Sequence, residues 1–454
     1  MGSISNDALR AEVKSLASSK PPQQLRLRAS QAQLDSIVYP AVLTLPPEIT
    51  SEIFLLCVPI KRERNTKEAP LLFTQICRDW RHIAVSTSAL WTTFDVAEST
   101  TGLVHFPEIV ETWLARARGR PLTVKIRGAF AQCQRIFQTL YQHASTMQVL
   151  ELKMNPEAFE AMETHPWDCP ILRGLYVSFI PVEYRPVRPL NILRDAPLLQ
   201  EVVVACALHS SFALPWRRLT RFTGAFRSCA DYLGALRLMP NLTYCAAALA
   251  FPGSESPLLL PRLQHLVLFN TRSLGANPLE FLTLPALQNL EIRDSAFDED
   301  HFGSFLARSS PPLRLLSIKP PRMQHGETSV RLWPSFTTLG LTSFDIWRPS
   351  KSFAIAFFER LGGDPAFLPE LLHLSFSGCR DDYSAASGTA VLKMAAPAVQ
   401  IRRTASQGHA QLRSFRVTAT STFEPQLIPS KALFEKLRAS GMSIYIGTEV
   451  KSVI

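Results

Sequence analysis

The sequence of 454 residues lacks the features that mark secreted, membrane-spanning and zinc-binding proteins. No apolar run approaches the roughly eighteen residues that a membrane-spanning helix needs. The first residues, MGSISNDALRAEV, contain no charged segment followed by an apolar one, so we expect no signal peptide. None of the eight cysteines forms a CxxC pair, so we expect neither a metal site nor a structural disulfide. These absences predict a cytoplasmic or nuclear protein without a membrane partner.

Catalytic and cofactor motifs are also missing. The sequence has no Walker loop, dinucleotide fingerprint, HExxH, GxSxG or EF-hand loop. The ten histidines occur singly, and a lone histidine beside a predicted strand, such as His265 or His373, is more often a structural residue than a catalyst. We therefore expect no enzymatic activity and no cofactor, although a site assembled from distant residues would escape a search for motifs.

Charged residues are scarce, at 19% of the chain, while hydrophobic residues make up 46% and suffice for a large core. The formal net charge of +10 favours acidic partners. Its basic residues are dispersed, with short clusters only at 61–64 and 116–120. A nucleic-acid-binding protein typically carries a longer basic stripe interleaved with aromatic residues. We interpret both clusters as solvated surface and expect no nucleic-acid partner.

The first 96 residues predict a series of short helices. Residues 1–40 contain two helical patterns, which we expect to pack on the segment that follows. In 41–96, Pro46 and Pro47 suit a helix start, and Ile49, Ile53 and Leu56 recur at i, i+4 and i+7. A second helix is predicted from Pro70, with an apolar face formed by Leu72, Ile76, Trp80 and Ile83. Helices of this size cannot bury enough surface alone, so they need either the rest of the chain or a partner.

The residue pattern of this segment resembles the F-box motif. The matching residues are, in order, Leu45-Pro46-x-Glu48-Ile49, Ile53-Phe54, Ile76-Cys77-Arg78-x-Trp80-Arg81, Ile83-Ala84 and Leu90-Trp91. The resemblance implies a three-helix element in 41–96 that binds a Skp-type adaptor, which in turn binds a cullin–RING ubiquitin ligase. It implies adaptor-facing or interface-supporting roles for Leu45, Pro46, Ile49, Ile53, Phe54, Ile76, Cys77 and Trp80. Residues 97–120, followed by a strand, resemble the linker helix of many fungal F-box proteins.

A degenerate phrase, often proline followed by LxxLxL, recurs through the remainder of the chain. Its first position falls at Val149, Leu172, Leu199, Leu219, Leu242, Leu263, Leu287, Leu313 and Phe336. These positions are 20 to 27 residues apart, which lies inside the period of leucine-rich repeats. The next intervals, 35 and 41, predict longer late connections.

The predicted fold class is therefore α/β, with an N-terminal helical F-box followed by a degenerate leucine-rich-repeat solenoid in 121–454, built on a curved parallel sheet. Helices on its outer side are predicted around Leu233, Leu236 and Leu238, and around Phe302, Phe305 and Leu306. A C-terminal cap is predicted from a helix with Ser430 as N-cap and Gly441 after its end, followed by a strand at 442–446.

The x positions of LxxLxL should lie on the open face of such a sheet. They place His265, Val267, Asn289, Glu291, Leu315, Ser317, His373 and Ser375 there. The mixture suits a protein-binding surface, although solvated strand residues would look the same. We expect a substrate-recognition subunit of an SCF-type ubiquitin ligase. An adaptor-binding protein with another purpose, or a stand-alone scaffold that binds anionic partners, remains the alternative.

Overall fold

The computed structural model describes most of the chain from residue 45 onward. The described ranges are 45–59, 67–97, 106–128, 133–155, 167–179, 195–205, 212–251, 256–269, 278–293, 299–319, 339–379, 388–404, 409–419 and 430–448, with a few short stretches between them. Of the helices predicted in 1–40, only residues 28–29 and 32–33 are described, and they are helical. Within the described residues, no helix is both long and apolar enough to cross a membrane.

The chain is mixed α/β and divides into two units, Met1–Lys125 and Ile126–Ile454. Its helices are α1 (Pro47–Leu56), α2 (Phe73–Ile76), α3 (Arg78–Ser86), α4 (Phe106–Arg116), α5 (Cys133–Gln142), α6 (Cys229–Arg237), α7 (Glu299–Ser309), α8 (Lys351–Gly363), α9 (Gly388–Arg403) and α10 (Lys431–Ala439).

Among the described residues, a sheet of fourteen strands carries the fold, and the strands lie in it in the order in which they occur in the chain. They are β1 (Thr93–Ala97), β2 (Leu122–Gly128), β3 (Met147–Met154), β4 (Gly174–Phe179), β5 (Glu201–Ala205), β6 (Arg221–Ser228), β7 (Tyr244–Phe251), β9 (His265–Phe269), β11 (Asn289–Arg293), β12 (Leu315–Lys319), β13 (Ser343–Trp347), β14 (His373–Cys379), β15 (Ser414–Ala419) and β16 (Ser443–Gly447). Two short strands, β8 (Leu258–Leu259) and β10 (Leu282–Thr283), form a separate parallel pair.

Every pair of neighbours from β3 to β16 is parallel, which confirms the prediction of one parallel sheet. Strands β9 and β11, for example, align Leu266 with Leu290 and Leu268 with Ile292. In the large sheet, alternate residues of the strands from β3 onward are buried wherever their side chains are described, and they supply the core layer. Short parallel strands need crossover connections, and helices α6 to α10 occupy several of them.

A turn precedes most strands of the large sheet, and the prolines before the strands are part of these turns. The N–H of Leu172, Leu199, Leu219, Leu242, Leu263, Leu287 and Leu371 donates to the carbonyl three residues earlier, at 3.1–3.4 Å. In six of these seven turns proline is the second residue, where its restricted φ favours the turn. The leucine that ends each turn is buried, so the turn aims it into the core below the strand.

The register corrects two of the predicted repeat starts. Val149 pairs with Gly174, so the residue equivalent to Leu172 in β3 is the fully buried Met147. Ser343 pairs with Leu315, so the equivalent of Leu313 in β13 is the fully buried Leu341, not Phe336. With Leu341 in place, the intervals on either side of it are 28 and 30 residues. The late connections contain helices α8 and α9.

Helices occur at the predicted places, with two corrections. Leu233, Leu236, Phe302 and Phe305 are buried within α6 and α7 as expected, but Leu238 follows the end of α6 and is partly exposed. Ser430 precedes α10 in a left-handed conformation, and its side chain makes no capping hydrogen bond.

The end of α10 is built as predicted. Gly441 has a φ of +85°, and the N–H groups of Gly441 and Met442 donate to the carbonyls of Arg438 and Leu437 at 3.0 and 3.2 Å. This pair of bonds is a Schellman motif, which glycine favours because it lacks a Cβ. The strand that follows, β16, pairs in parallel with β15 and ends the sheet.

Candidate functional site

The first candidate surface lies on α1 and α2. Helix α1 buries Thr50 and Phe54 on one side, and the Thr50 hydroxyl donates to the Pro46 carbonyl at 3.2 Å. Its other side exposes Ile49, Ile53 and Leu56, at 49%, 42% and 86% of their surface. On α2 and just before it, Ile76 and Leu72 are also exposed, at 44% and 37%. We call these five residues the apolar stripes. They are the reverse of ordinary amphipathic packing, in which the apolar side of a helix faces inward.

Three aromatic rings hold these helices together. Phe54 and Phe73 stack with their centroids 4.0 Å apart, and the Trp80 ring meets Phe54 edge-on at 4.9 Å. The predicted second helix is interrupted at Cys77, whose backbone is extended. Cys77 caps α3, because its Sγ accepts a hydrogen bond from the backbone N–H of Trp80 at 3.4 Å. The break turns Trp80 inward while Ile76 stays exposed. The single apolar face predicted from Pro70 to Ile83 is therefore wrong.

The structure separates the adaptor-binding candidates into two groups. Pro46, Ile49, Ile53 and Ile76 are exposed and free to contact another molecule. Phe54, Trp80 and Cys77 build the core and the helix cap, and Leu45 is half-buried. Leu56 and Leu72 belong to the exposed group but were absent from the predicted site, although the i, i+4, i+7 spacing of Ile49, Ile53 and Leu56 already indicated the former.

The Leu90-Trp91 pair at the end of this segment is core. Leu90 and Trp91 are completely buried, and the Trp91 indole N–H donates to the Ala84 carbonyl at 2.8 Å. The rings of Trp91 and Trp113 meet edge-on at 4.8 Å, and the Arg116 guanidinium lies 4.4 Å from the Trp91 centroid. Partial burial lowers the pKa of Arg116. Arg116, one of the basic residues interpreted as solvated surface, is thus packed on an aromatic ring.

The second candidate surface is the face of the sheet opposite the core layer, which we call the open face. Its rows run from strand to strand without a break. One row passes through Val267, Glu291, Ser317, Asp345 and Ser375, each paired with the next. A parallel row contains His265, Asn289, Leu315, Ser343 and His373.

All eight residues predicted for substrate binding therefore lie in two adjacent rows. Their accessibility differs, however. Val267 and Ser317 are buried by their neighbours, His373 is exposed, and the other five are partly exposed.

Asp345 is the centre of a polar cluster that sequence reasoning missed. Its Oδ2 accepts hydrogen bonds from the Ser317 hydroxyl at 3.0 Å and the Trp347 indole N–H at 3.2 Å. The Lys319 ammonium lies 3.8 Å from the same oxygen and 5.0 Å from the centroid of the Trp347 ring. Both Asp345 and Trp347 lie on β13. The first repeat position before this strand is Leu341, which no proline precedes, so the proline-LxxLxL pattern that located other strands did not locate β13.

A second missed group crosses β4 to β9. Tyr176 bonds to Glu201, Arg221 lies 3.8 Å from Glu201, and the Arg221 guanidinium lies 4.3 Å from the Tyr244 ring centroid. His265 follows, 6.4 Å from Tyr244. Burial raises the pKa of Tyr176, and the Glu201 carboxylate adds to this effect. Tyr176 occupies an x position of its own LxxLxL phrase, so the rule that selected His265 would have selected it.

Comparison with known proteins adds no assignment. No family model matches the sequence, and no curated protein matches it. Among the described residues, no group of three His, Cys, Asp or Glu side chains is arranged to hold a metal ion. The surfaces described above are therefore the basis for a functional hypothesis.

Proposed function

We propose that this chain is an F-box-type substrate receptor, which binds a Skp-type adaptor through the apolar stripes and a protein substrate through the open face of a degenerate leucine-rich-repeat solenoid. The chain itself would perform no chemistry. Through the adaptor it would bring the substrate to a cullin–RING ubiquitin ligase in the cytoplasm or nucleus.

The observation that carries the proposal is the outward apolar side of α1. A helix in water is stabilised by burying its apolar side, yet α1 buries only Thr50 and Phe54 and exposes two isoleucines and a leucine. Fully burying such a side chain stabilises by about 1.5–3 kcal/mol, so covering the exposed parts of the five stripe residues would contribute about 5 kcal/mol before the cost of association. Contiguous exposed apolar residues on a small helical element support an interface with another protein.

Support for a repeat-type receptor comes from the regular connection between strands. The backbone carbonyl just before a strand accepts two N–H groups from the next strand segment, as Gln264 does from Gln288 and Asn289 at 2.9 Å each. The same arrangement recurs at Gln200, Thr220, Thr243, Gln288, Arg314, Thr342 and Leu372. A unit that repeats with this fidelity presents equivalent residues side by side, as repeat receptors do.

Co-purification with a Skp-type adaptor tests the proposal. The double variant Ile49→Asp/Ile53→Asp should abolish adaptor binding, because it places two charges in the surface that the adaptor would desolvate. The matched control is Leu259→Asp/Ile401→Asp, which changes two residues of similar exposure, 58% and 44%, on β8 and α9. The control should bind the adaptor as the wild type does.

Three results would contradict the proposal: no binding by the wild type, unchanged binding by the stripe variant, or equal loss in both variants. Circular dichroism melting shows whether each variant is folded. Turnover of a captured substrate, with and without proteasome inhibition, then separates a ligase receptor from a protein that binds the adaptor for another purpose.

A further inference from the structure

The turns that precede the strands carry an uneven distribution of charge. We define a turn segment as the four residues that end at a turn-forming leucine, together with the residue after it. The five segments before β4, β5, β6, β7 and β9 contain four arginines, Arg173, Arg217, Arg218 and Arg262, and neither aspartate nor glutamate. We call these four residues the basic turn edge. The nearest acids precede or follow the segments, at Asp168, Asp195 and Glu201, and Glu201 lies beside Arg221.

Hydrogen bonds join consecutive turns along this edge. Arg218 donates to the Pro197 carbonyl of the preceding turn. The Asn241 amide donates to the Arg217 carbonyl at 2.8 Å, and Arg262 in turn donates to the Asn241 side-chain oxygen at 2.8 Å. These bonds place Arg217, Arg218 and Arg262 on one continuous ridge. With about 4.8 Å between strands, the strands that follow Arg173, the Arg217–Arg218 pair and Arg262 succeed one another at intervals of about 10 Å.

Two of the guanidinium groups have no partner of their own. Within the described part of the chain, Arg173 and Arg217 are exposed and their side chains make no hydrogen bond or ion pair. Arg218 and Arg262 each use one nitrogen for the contacts above, which leaves further N–H donors of the five on each guanidinium. The ridge thus presents donors in the forked geometry that matches carboxylates.

The nearby aromatic rings argue against a nucleic acid as the partner. Proteins that bind single strands stack bases on open aromatic faces. Here the Tyr244 ring is covered by the Arg221 guanidinium at 4.3 Å, and the Tyr176 side chain is engaged by Glu201. Trp216 packs edge-on near Phe222 at 6.0 Å. These three rings are therefore already in contact with other side chains of the protein, while the ridge offers charge and hydrogen-bond donors.

From this geometry we infer that the basic turn edge binds an extended acidic peptide segment of a partner protein, with carboxylates seated on Arg173, Arg217, Arg218 and Arg262. The strands from β4 to β9 span about 19 Å, which an extended segment of about six residues covers. This inference deepens the proposed function by naming the chemistry of the substrate segment. It is tested on the full chain without adaptor, so either idea can fail while the other stands.

The experiment measures fluorescence anisotropy of a labelled octaglutamate peptide with the full chain at low and high NaCl. The wild type should bind the peptide, and binding should weaken as salt screens the charges. The variant Arg217→Glu/Arg262→Glu should bind at least tenfold more weakly. The control variant Lys393→Glu/Lys436→Glu makes the same change in net charge on exposed residues of α9 and α10 and should change binding less than threefold.

Absence of measurable peptide binding by the wild type would overturn the inference. Equal weakening in the two variants would also overturn it, because the attraction would then depend on net charge alone. A labelled oligothymidylate of equal charge that bound more tightly than octaglutamate would identify a nucleic-acid surface instead. If melting shows that the double variant is unfolded, Arg217→Gln/Arg262→Gln replaces it, and it should also bind octaglutamate more weakly than the wild type does.

Discussion

Replacing Arg402 with methionine should destabilise the later part of the sheet unit more than any surface substitution. Arg402 lies on α9 and is 2% exposed. Its guanidinium donates to the carbonyls of Leu361 at 2.8 Å, Asp364 at 2.9 Å and Leu368 at 3.4 Å, and to that of Phe367. These carbonyls end α8 and form the loop that leads to β14. One side chain therefore bonds to four carbonyls, of which those of Asp364 and Leu368 also accept the backbone N–H groups of Phe367 and Leu371 at 3.1 and 3.2 Å.

The expected loss follows from those four bonds. A hydrogen bond from a charged donor contributes about 1.5 kcal/mol or more, so the gross stabilisation is about 6 kcal/mol. Removing the guanidinium from water costs several kcal/mol, which offsets part of it. Burial lowers the pKa of Arg402, and the negative charge of Asp364 opposes that shift. We expect Arg402→Met to lower the free energy of unfolding by about 3 kcal/mol.

Arg403→Met is the natural control, because the neighbouring side chain bonds to two carbonyls, those of Leu412 and Ser440, nearer the surface. It should cost about 1 kcal/mol. Urea denaturation gives the global values, and hydrogen exchange of the amides of α8 and β14 shows where protection is lost. If Arg402→Met costs less than about 1 kcal/mol, or no more than Arg403→Met, the hydrogen bonds of the Arg402 guanidinium do not stabilise the fold and the prediction is wrong.

Two further predictions concern buried thiols and a glycine. Burial raises the pKa of three cysteine thiols to about 12, those of Cys169, Cys245 and Cys379. At pH 8, maleimide should label the exposed Cys57 and should label these three cysteines only after urea is added, as mapped by peptide mass spectrometry. Labelling of Cys245 in the folded protein at the rate of Cys57 would refute this prediction. Because unfolded thiols ionise above about pH 8.5, stability should fall as pH rises from there toward 12. Gly441→Ala should cost about 1 kcal/mol, since φ is +85° there, whereas Gly363→Ala, with open space around its Cβ position, should be near neutral in thermal melts.

Much of the sheet was predictable because its local chemistry repeats. A buried leucine at the end of a turn, followed by alternation, is dictated by the turn and the pleat together, so Leu263 and Leu287 could be located from sequence. The prediction failed where an apolar residue imitated the lead position. Val149 and Phe336 match the pattern of residue types, but the register assigns the position to Met147 and Leu341, and only strand pairing can decide between such neighbours.

The clusters on the open face could not be predicted in full, because they depend on which strands are neighbours. Ser317 and Asp345 are 28 residues apart in the chain, and their hydrogen bond exists because β12 and β13 are paired. The same holds for Glu201 and Arg221 on β5 and β6. Composition shows that such charges are present, but the register shows that they are already partnered. Attention therefore turns to Arg173 and Arg217 of the basic turn edge, whose side chains have no partner among the described residues.

The same helical spacing has opposite meanings in the two units. In α6, Leu233 and Leu236 are buried, so their spacing describes a core. In α1, Ile49 and Ile53 have the same apolar character but face solvent, while Thr50 and Phe54 face inward. Periodicity reports that a helix has an apolar side and cannot report what covers it. Core burial accounts for the apolar side of α6, whereas that of α1 is exposed, and we propose that a partner protein covers it.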